Sequence, residues 1–121
     1  MFQKTILAVD NAEMFLNSLK RYLADAPYEL HCVTSGSEAL DFLEKSKRNP
    51  DLILMDAEMP EMNGYELTKR IKQRGIRTPV VFITANTEPE DVDRAIQAGA
   101  AGVLMKPFRT NQLLDKIKEF I

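Results

Sequence analysis

Apolar residues come along this chain in short runs, and a polar side chain cuts off most of them. Thr5-Ile6-Leu7-Ala8-Val9 stops at Asp10-Asn11, and Leu52-Ile53-Leu54-Met55 stops at Asp56. Val80-Val81-Phe82-Ile83 stops at Thr84, and Val103-Leu104-Met105 stops at Lys106. Runs without polar alternation are those of strands buried on both faces. Glu29 to Val33 reads as a further short strand, second in chain order.

Between the runs the period becomes helical. Phe15, Leu16, Leu19, Tyr22 and Leu23 form one apolar stripe, and Pro27 marks its exit. Ser35 and Glu38 make a capping box for a second helix with Ala39, Leu40 and Leu43 inward. Asn63 and Glu66 cap a third, with Leu67 and Ile71 inward and Gly75 in the left-handed position past its end. Thr87-Glu88-Pro89-Glu90 opens a fourth, with Val92, Ala95 and Ile96 inward and Gly99 closing it. Thr110 is the expected cap of the last, whose inner face is Leu113, Ile117 and Phe120. Strand and helix alternate strictly, five of each. Alternation implies parallel strands joined by right-handed crossovers, hence an α/β fold with a doubly wound five-stranded parallel sheet.

Composition narrows the class without naming a function. A length of 121 residues suits one domain over 1–121. Nothing reads as a repeat, linker or low-complexity segment, and the chain ends with its fifth helix as an excised or single-domain protein would. Net charge is −2, and no basic block argues for direct nucleic-acid binding. Arg70, Lys72, Arg74 and Arg77 are too sparse to change that. Cys32 has no internal disulfide partner and reads as a small core residue in a reducing cytoplasm. No signal-peptide core or bilayer-length apolar run is present, so no membrane partner is expected.

The candidate chemistry stands where the strands stop. In a doubly wound sheet the carboxyl ends share one edge, where ligands bind. That edge collects Asp10 and Asn11, Asp56, Thr84 and Lys106. Asp56 by itself is equally well a residue that starts a turn, since Pro60 and Asn63-Gly64 follow it. Together, two acids repel unless a cation joins them. Oxygen ligands suit Mg2+. An Asp is a competent nucleophile toward phosphorus, and a lysine and a hydroxyl stabilise the charge of a transferred phosphoryl group. Lys106 is expected to pair with Asp56 when no phosphoryl group is present.

In Val9-Asp10-Asn11, Asp51 to Asp56 with Met59-Pro60 and Asn63-Gly64, Thr84-Ala85, Gly99-Ala100 and Lys106-Pro107-Phe108, the whole chain resembles a CheY-like response-regulator receiver domain of two-component signalling. The resemblance implies strand order 2-1-3-4-5, in a three-layer flavodoxin-like sandwich. It implies that Asp56 accepts a phosphoryl group from a sensor histidine kinase or phosphotransfer protein, in a signalling switch rather than an enzyme. Asp10, Asn11, Asp56 and the Glu58 carbonyl would hold Mg2+. Thr84 and Lys106 would contact the phosphoryl oxygens, with the Ala85 N–H beside them. The Lys106-Pro107 bond would be cis. Glu58 and Asn86 stand where the family tunes phosphoryl lifetime, or else are solvated loop residues. The output domain or downstream protein is not legible. The sequence permits a homodimer through the fourth helix, fifth strand and fifth helix without compelling one.

Two departures keep a second reading open. The family usually has an acid at Asn11 and an aromatic ring at Val103. A degenerate receiver acting as a constitutive interaction module would explain both. A haloacid-dehalogenase-type phosphatase wants an Asp where Glu58 stands. A flavodoxin-like flavin carrier wants a Gly- and hydroxyl-rich loop where Asp10-Asn11-Ala12-Glu13 stands. His31 reads as structural, so the chain is not itself a histidine kinase. Met55, Met59, Met62 and Met105 read as packing. The acids at Glu88, Glu90, Asp91 and Asp93 suit a solvated helix start.

Overall fold

The computed structural model describes residues 3–85 and 88–121. The elements alternate as β1 (Lys4–Val9), α1 (Glu13–Tyr22), β2 (Tyr28–Val33), α2 (Gly36–Lys45), β3 (Leu52–Asp56), α3 (Gly64–Gln73), β4 (Val80–Thr84), α4 (Pro89–Ala98), β5 (Gly102–Met105) and α5 (Thr110–Lys118). The strands form one five-stranded sheet in the order β2-β1-β3-β4-β5. Every pair in it is parallel.

The unalternating apolar runs are explained by a core on each face. Leu7, Val9, Ile53, Met55, Val80 and Phe82 point to one side, where α2, α3 and α4 contribute Ala39, Leu43, Leu67, Ile71, Ala95 and Ala98. Ile6, Ala8, Leu52, Leu54, Val81 and Ile83 point to the other, where α1 with its C-cap Leu23 and α5 contribute Leu16, Leu19, Leu23, Leu113 and Ile117. Successive strand residues face opposite sides, so a strand covered twice must be apolar at every position. Each such side chain, fully buried, stabilises the fold by about 1.5–3 kcal/mol.

The caps are partly as expected. Ser35 Oγ accepts the Glu38 N–H at 3.1 Å, but the Glu38 carboxylate reaches Thr34, accepting from its N–H and its hydroxyl at 2.6 Å. Asn63 accepts the Glu66 N–H at 3.0 Å. Gly75 and Gly99 have φ of 81° and 112°, the left-handed conformation that ends α3 and α4. The cap of α5 is Arg109, with Thr110 its first helical residue. The Gln112 side chain reaches back to accept the Arg109 N–H at 2.7 Å, and the Thr110 hydroxyl, one position inside the helix, is not its cap. The N-cap of α4 is Glu88 with Pro89 behind it, and Thr87 lies outside the described residues.

One inner face is turned. Ile96 is 58% exposed, while Ala95 and Ala98 carry the contact of α4. Arg94 stacks over the Tyr65 ring of α3, 4.1 Å from its centroid.

Candidate functional site

Each strand of the pairs β1–β3 and β4–β5 delivers one polar group to the carboxyl edge. Asp10 follows β1 directly, and its N–H donates to the Val33 carbonyl of β2 at 3.1 Å. Its Oδ1 accepts the Ala12 N–H at 2.8 Å, a side-chain turn that starts α1. Asp10 is almost wholly buried, and its Oδ2 has no hydrogen-bond partner. Asn11, on the bend, is exposed.

Asp56 ends β3 half-buried, with Oδ1 accepting the Glu58 N–H at 3.2 Å. The loop behind it is pinned by the Gly64 N–H, which donates to the Ala57 carbonyl at 3.0 Å. A Cβ on Gly64 would overlap the Asp56 carbonyl oxygen, so only glycine lets α3 begin this close. Inside the loop the Met62 N–H donates to the Pro60 carbonyl at 2.8 Å, a three-residue turn around Glu61 at φ 67°.

Thr84 ends β4 buried, paired in register with Met105. Its carbonyl accepts the Lys106 N–H at 2.8 Å, which continues the ladder one residue past β5. The Lys106-Pro107 bond is cis, as expected. The Lys106 Nζ lies 3.6 Å from Asp10 Oδ2 and 3.9 Å from the centroid of the Phe15 ring. The ion pair expected with Asp56 is thus made with Asp10. Lys106 still acts on Asp56 through space, lowering its pKa against stronger opposing effects. Burial, and then the Asp10 charge, push the Asp56 carboxyl up from 3.8 to about 6.

The edge is therefore anionic and short of positive charge. Two crowded carboxylates, one with an orphaned buried oxygen, fit a small hard cation. No group of three or more His, Cys, Asp or Glu is placed to hold a metal among the described residues. A cation here would take two carboxylates, carbonyl oxygens and water, the set that suits Mg2+.

Asp10, Asp56, Thr84 and Lys106 are brought together, with Asn11 and Glu58 exposed at the rim. Asn86 lies outside the described residues. Val103 stands beside Phe82 in the sheet register and packs on the core of the α2–α4 face. His31 lies on the edge strand β2, 3.2 Å from Glu29 and against the Phe42 ring. Of the methionines, Met55 and Met59 are core, and Met105 is 50% exposed. Sequence reasoning placed Phe15 only in a helical stripe and missed that its ring meets Lys106. No periodicity signals a contact between α1 and the end of β5.

A doubly wound 2-1-3-4-5 sheet with this edge defines the CheY-like class of α/β domains. Within that class the chain belongs to the response regulator receiver domain family, whose model matches residues 6–118. Its relatives include the transcriptional regulatory protein CrdR of Helicobacter pylori, 39% identical over 119 residues that make up 98% of this chain and 55% of CrdR. The sensor histidine kinase RcsC of Escherichia coli is 37% identical over 94% of this chain and 11% of its own length. The chain thus spans about half of the one and about a tenth of the other. Among solved structures, chemotaxis protein CheY4 of Vibrio cholerae superposes with a TM-score of 0.92 at 31% identity, covering 99% of this chain and all of that one.

Proposed function

We propose that this receiver domain, spanning 1–121, is a phosphoryl-accepting switch of a two-component pathway, with Asp56 the acceptor. What carries the reading is the convergence of Asp56, Asp10, Thr84 and Lys106 on one sheet edge in a chain of this family. An Asp56 oxygen attacks the phosphorus of a phosphohistidine on a sensor kinase or phosphotransfer protein. The new O–P bond forms as the P–N bond breaks, and the departing imidazole takes a proton. The Thr84 hydroxyl and Lys106 ammonium then hold the phosphoryl oxygens.

Asp10, Asn11, Asp56 and the Glu58 carbonyl are the residues that would hold Mg2+. Bound there, the ion would neutralise the crowded acids and the charge of the phosphoryl group. Asn11 offers an oxygen without a charge, so the ion is held more weakly than by an acid. The setting is a cytoplasm. No helix among the described residues is long and apolar enough to cross a membrane. The output is a linked domain or a separate protein that binds one state of the switch better.

The test is intact-protein mass after incubation with acetyl phosphate, with Mg2+ or with EDTA, beside Asp56→Asn. One added phosphoryl group that requires both Mg2+ and Asp56 is the expected result. Asn11→Asp should lower the Mg2+ concentration for half-maximal uptake by roughly tenfold, through its added ligand charge. No adduct on folded wild-type protein at high Mg2+ refutes the reading. It would favour the constitutive interaction module that Asn11 and Val103 suggest.

A further inference from the structure

We infer that Phe15 is a positioning residue for Lys106, its ring face holding the ammonium at the phosphorylation edge. The inference rests on the reading of Asp56 as acceptor. Phe15 lies on α1, half-buried, and has no polar atom to offer. Yet its ring centroid is 3.9 Å from Lys106 Nζ, where the negative face of an aromatic ring attracts a cation. The other contact of that charge, Asp10 Oδ2 at 3.6 Å, is longer than a hydrogen bond. It attracts the ammonium without fixing its direction. A lysine stem has four rotatable carbons, so one point charge leaves a wide arc open. A ring face closes most of that arc. Were Asp10 Oδ2 to turn to a metal ion, its contact with the ammonium would weaken and the ring contact would be the one left.

The ring is itself held. Phe108 meets it at 90°, with centroids 6.2 Å apart, and Phe108 in turn meets Tyr22 at 6.1 Å and 69°. Phe108 follows Lys106 by two residues, so the segment that carries the lysine also carries the brace for its ring. Phe15 stands between a closed apolar floor and an open cleft. On one side is the apolar floor under Asp10 and Asp56, formed with Leu19, Leu54 and Ile83. On the other is an open cleft of about 230 Å³ bordered by Ser18, Tyr22 and Pro107. Lys106 already borders that cleft, and without the ring its ammonium loses the contact that holds it to the edge side.

The test compares wild-type protein with Phe15→Leu and Phe15→Met, which keep apolar volume and remove the ring, and with Phe15→Tyr, which restores it. The first readout is the proton shift of the Lys106 ε-methylene in metal-free protein, assigned with Lys106→Arg. A ring current should move it upfield in wild type and Phe15→Tyr, and the displacement should vanish in the other two. The second is the rate of phosphoryl uptake from acetyl phosphate at saturating Mg2+. Phe15→Leu and Phe15→Met should slow it by about three- to tenfold, the range of a partly desolvated cation–ring contact, and Phe15→Tyr should restore it. Wild-type protein without the upfield shift overturns the inference. So does normal uptake by Phe15→Leu and Phe15→Met alongside wild-type uptake, which leaves the acceptor reading standing. Wild-type protein that takes up no phosphoryl group overturns both.

Discussion

Asp56 holds a proton more readily than an ordinary aspartate because half its side chain is out of water and Asp10 faces it. Its folded pKa, about 6, stands above the 3.8 of a free aspartate. Between those two values the folded chain binds a proton that the unfolded chain has released. The ionised carboxylate therefore weakens the fold fully above pH 6, and the penalty fades as pH falls toward 4. In metal-free buffer Asp56→Asn should be more stable than wild type at pH 7.5, with the gap shrinking at pH 5. Solvent reaches the half-exposed carboxylate, so the gap should be on the order of 1 kcal/mol. Urea unfolding at the two pH values checks this. An unchanged gap would mean that neither burial nor Asp10 raises the Asp56 pKa in the folded chain.

At the scale of elements, the junction between β3 and α3 sets the acceptor. The Asp56 backbone and the first residue of α3 touch with no room for a Cβ. Gly64→Ala must push the helix or the loop away. Overpacking of that kind costs about 1–3 kcal/mol. It should also slow phosphoryl uptake, since the displaced backbone belongs to Asp56 itself. Urea unfolding and the acetyl phosphate assay read the two effects. Wild-type stability with slow uptake would assign the contact to the site alone. On the next helix, the stack of Arg94 on Tyr65 joins α4 to α3, and Tyr65 also lies against Phe82 in β4, with ring centroids 5.2 Å apart. That packing fills the side of the sheet where the family's usual ring is replaced by Val103.

Over the whole molecule, three large apolar side chains stand in water among the described residues: Met14 on α1 and, on adjoining elements, Ile96 on α4 at 58% exposure and Met105 at the end of β5. Ile96 and Met105 belong to the face made by α4, β5 and α5, and Met105 pairs in register with Thr84 and precedes Lys106. A phosphoryl group on Asp56 that draws in Thr84 would bias that face between two arrangements. If a second copy of the chain binds the favoured one, sedimentation should show a dimer with acetyl phosphate and Mg2+ and a monomer without. Ile96→Glu should keep the protein monomeric while phosphoryl uptake stays at the wild-type rate. A phosphorylated wild-type protein that remains a monomer would assign the face to another partner.

Much of this was legible in the order of residues alone. Apolar runs without alternation meant strands covered on both sides, and strict alternation with helices meant a parallel sheet, because each helix carries the chain back across a face to start the next strand in the same direction. The parallel sheet put Asp10, Asp56, Thr84 and Lys106 on one edge without any knowledge of distance. Helix stripes were less certain, since a period of 3.6 residues defines a face but not its rotation. Ile96 lay just beyond the buried arc, where Ala95 and Ala98 make the contact of α4 instead. Which carboxylate Lys106 pairs with, the brace of Phe15 and Phe108, and the closeness of Gly64 to Asp56 all depend on a few ångströms between segments remote in sequence. Sequence spacing carries the period of each element; contacts between elements are settled only when their side chains compete for the same space.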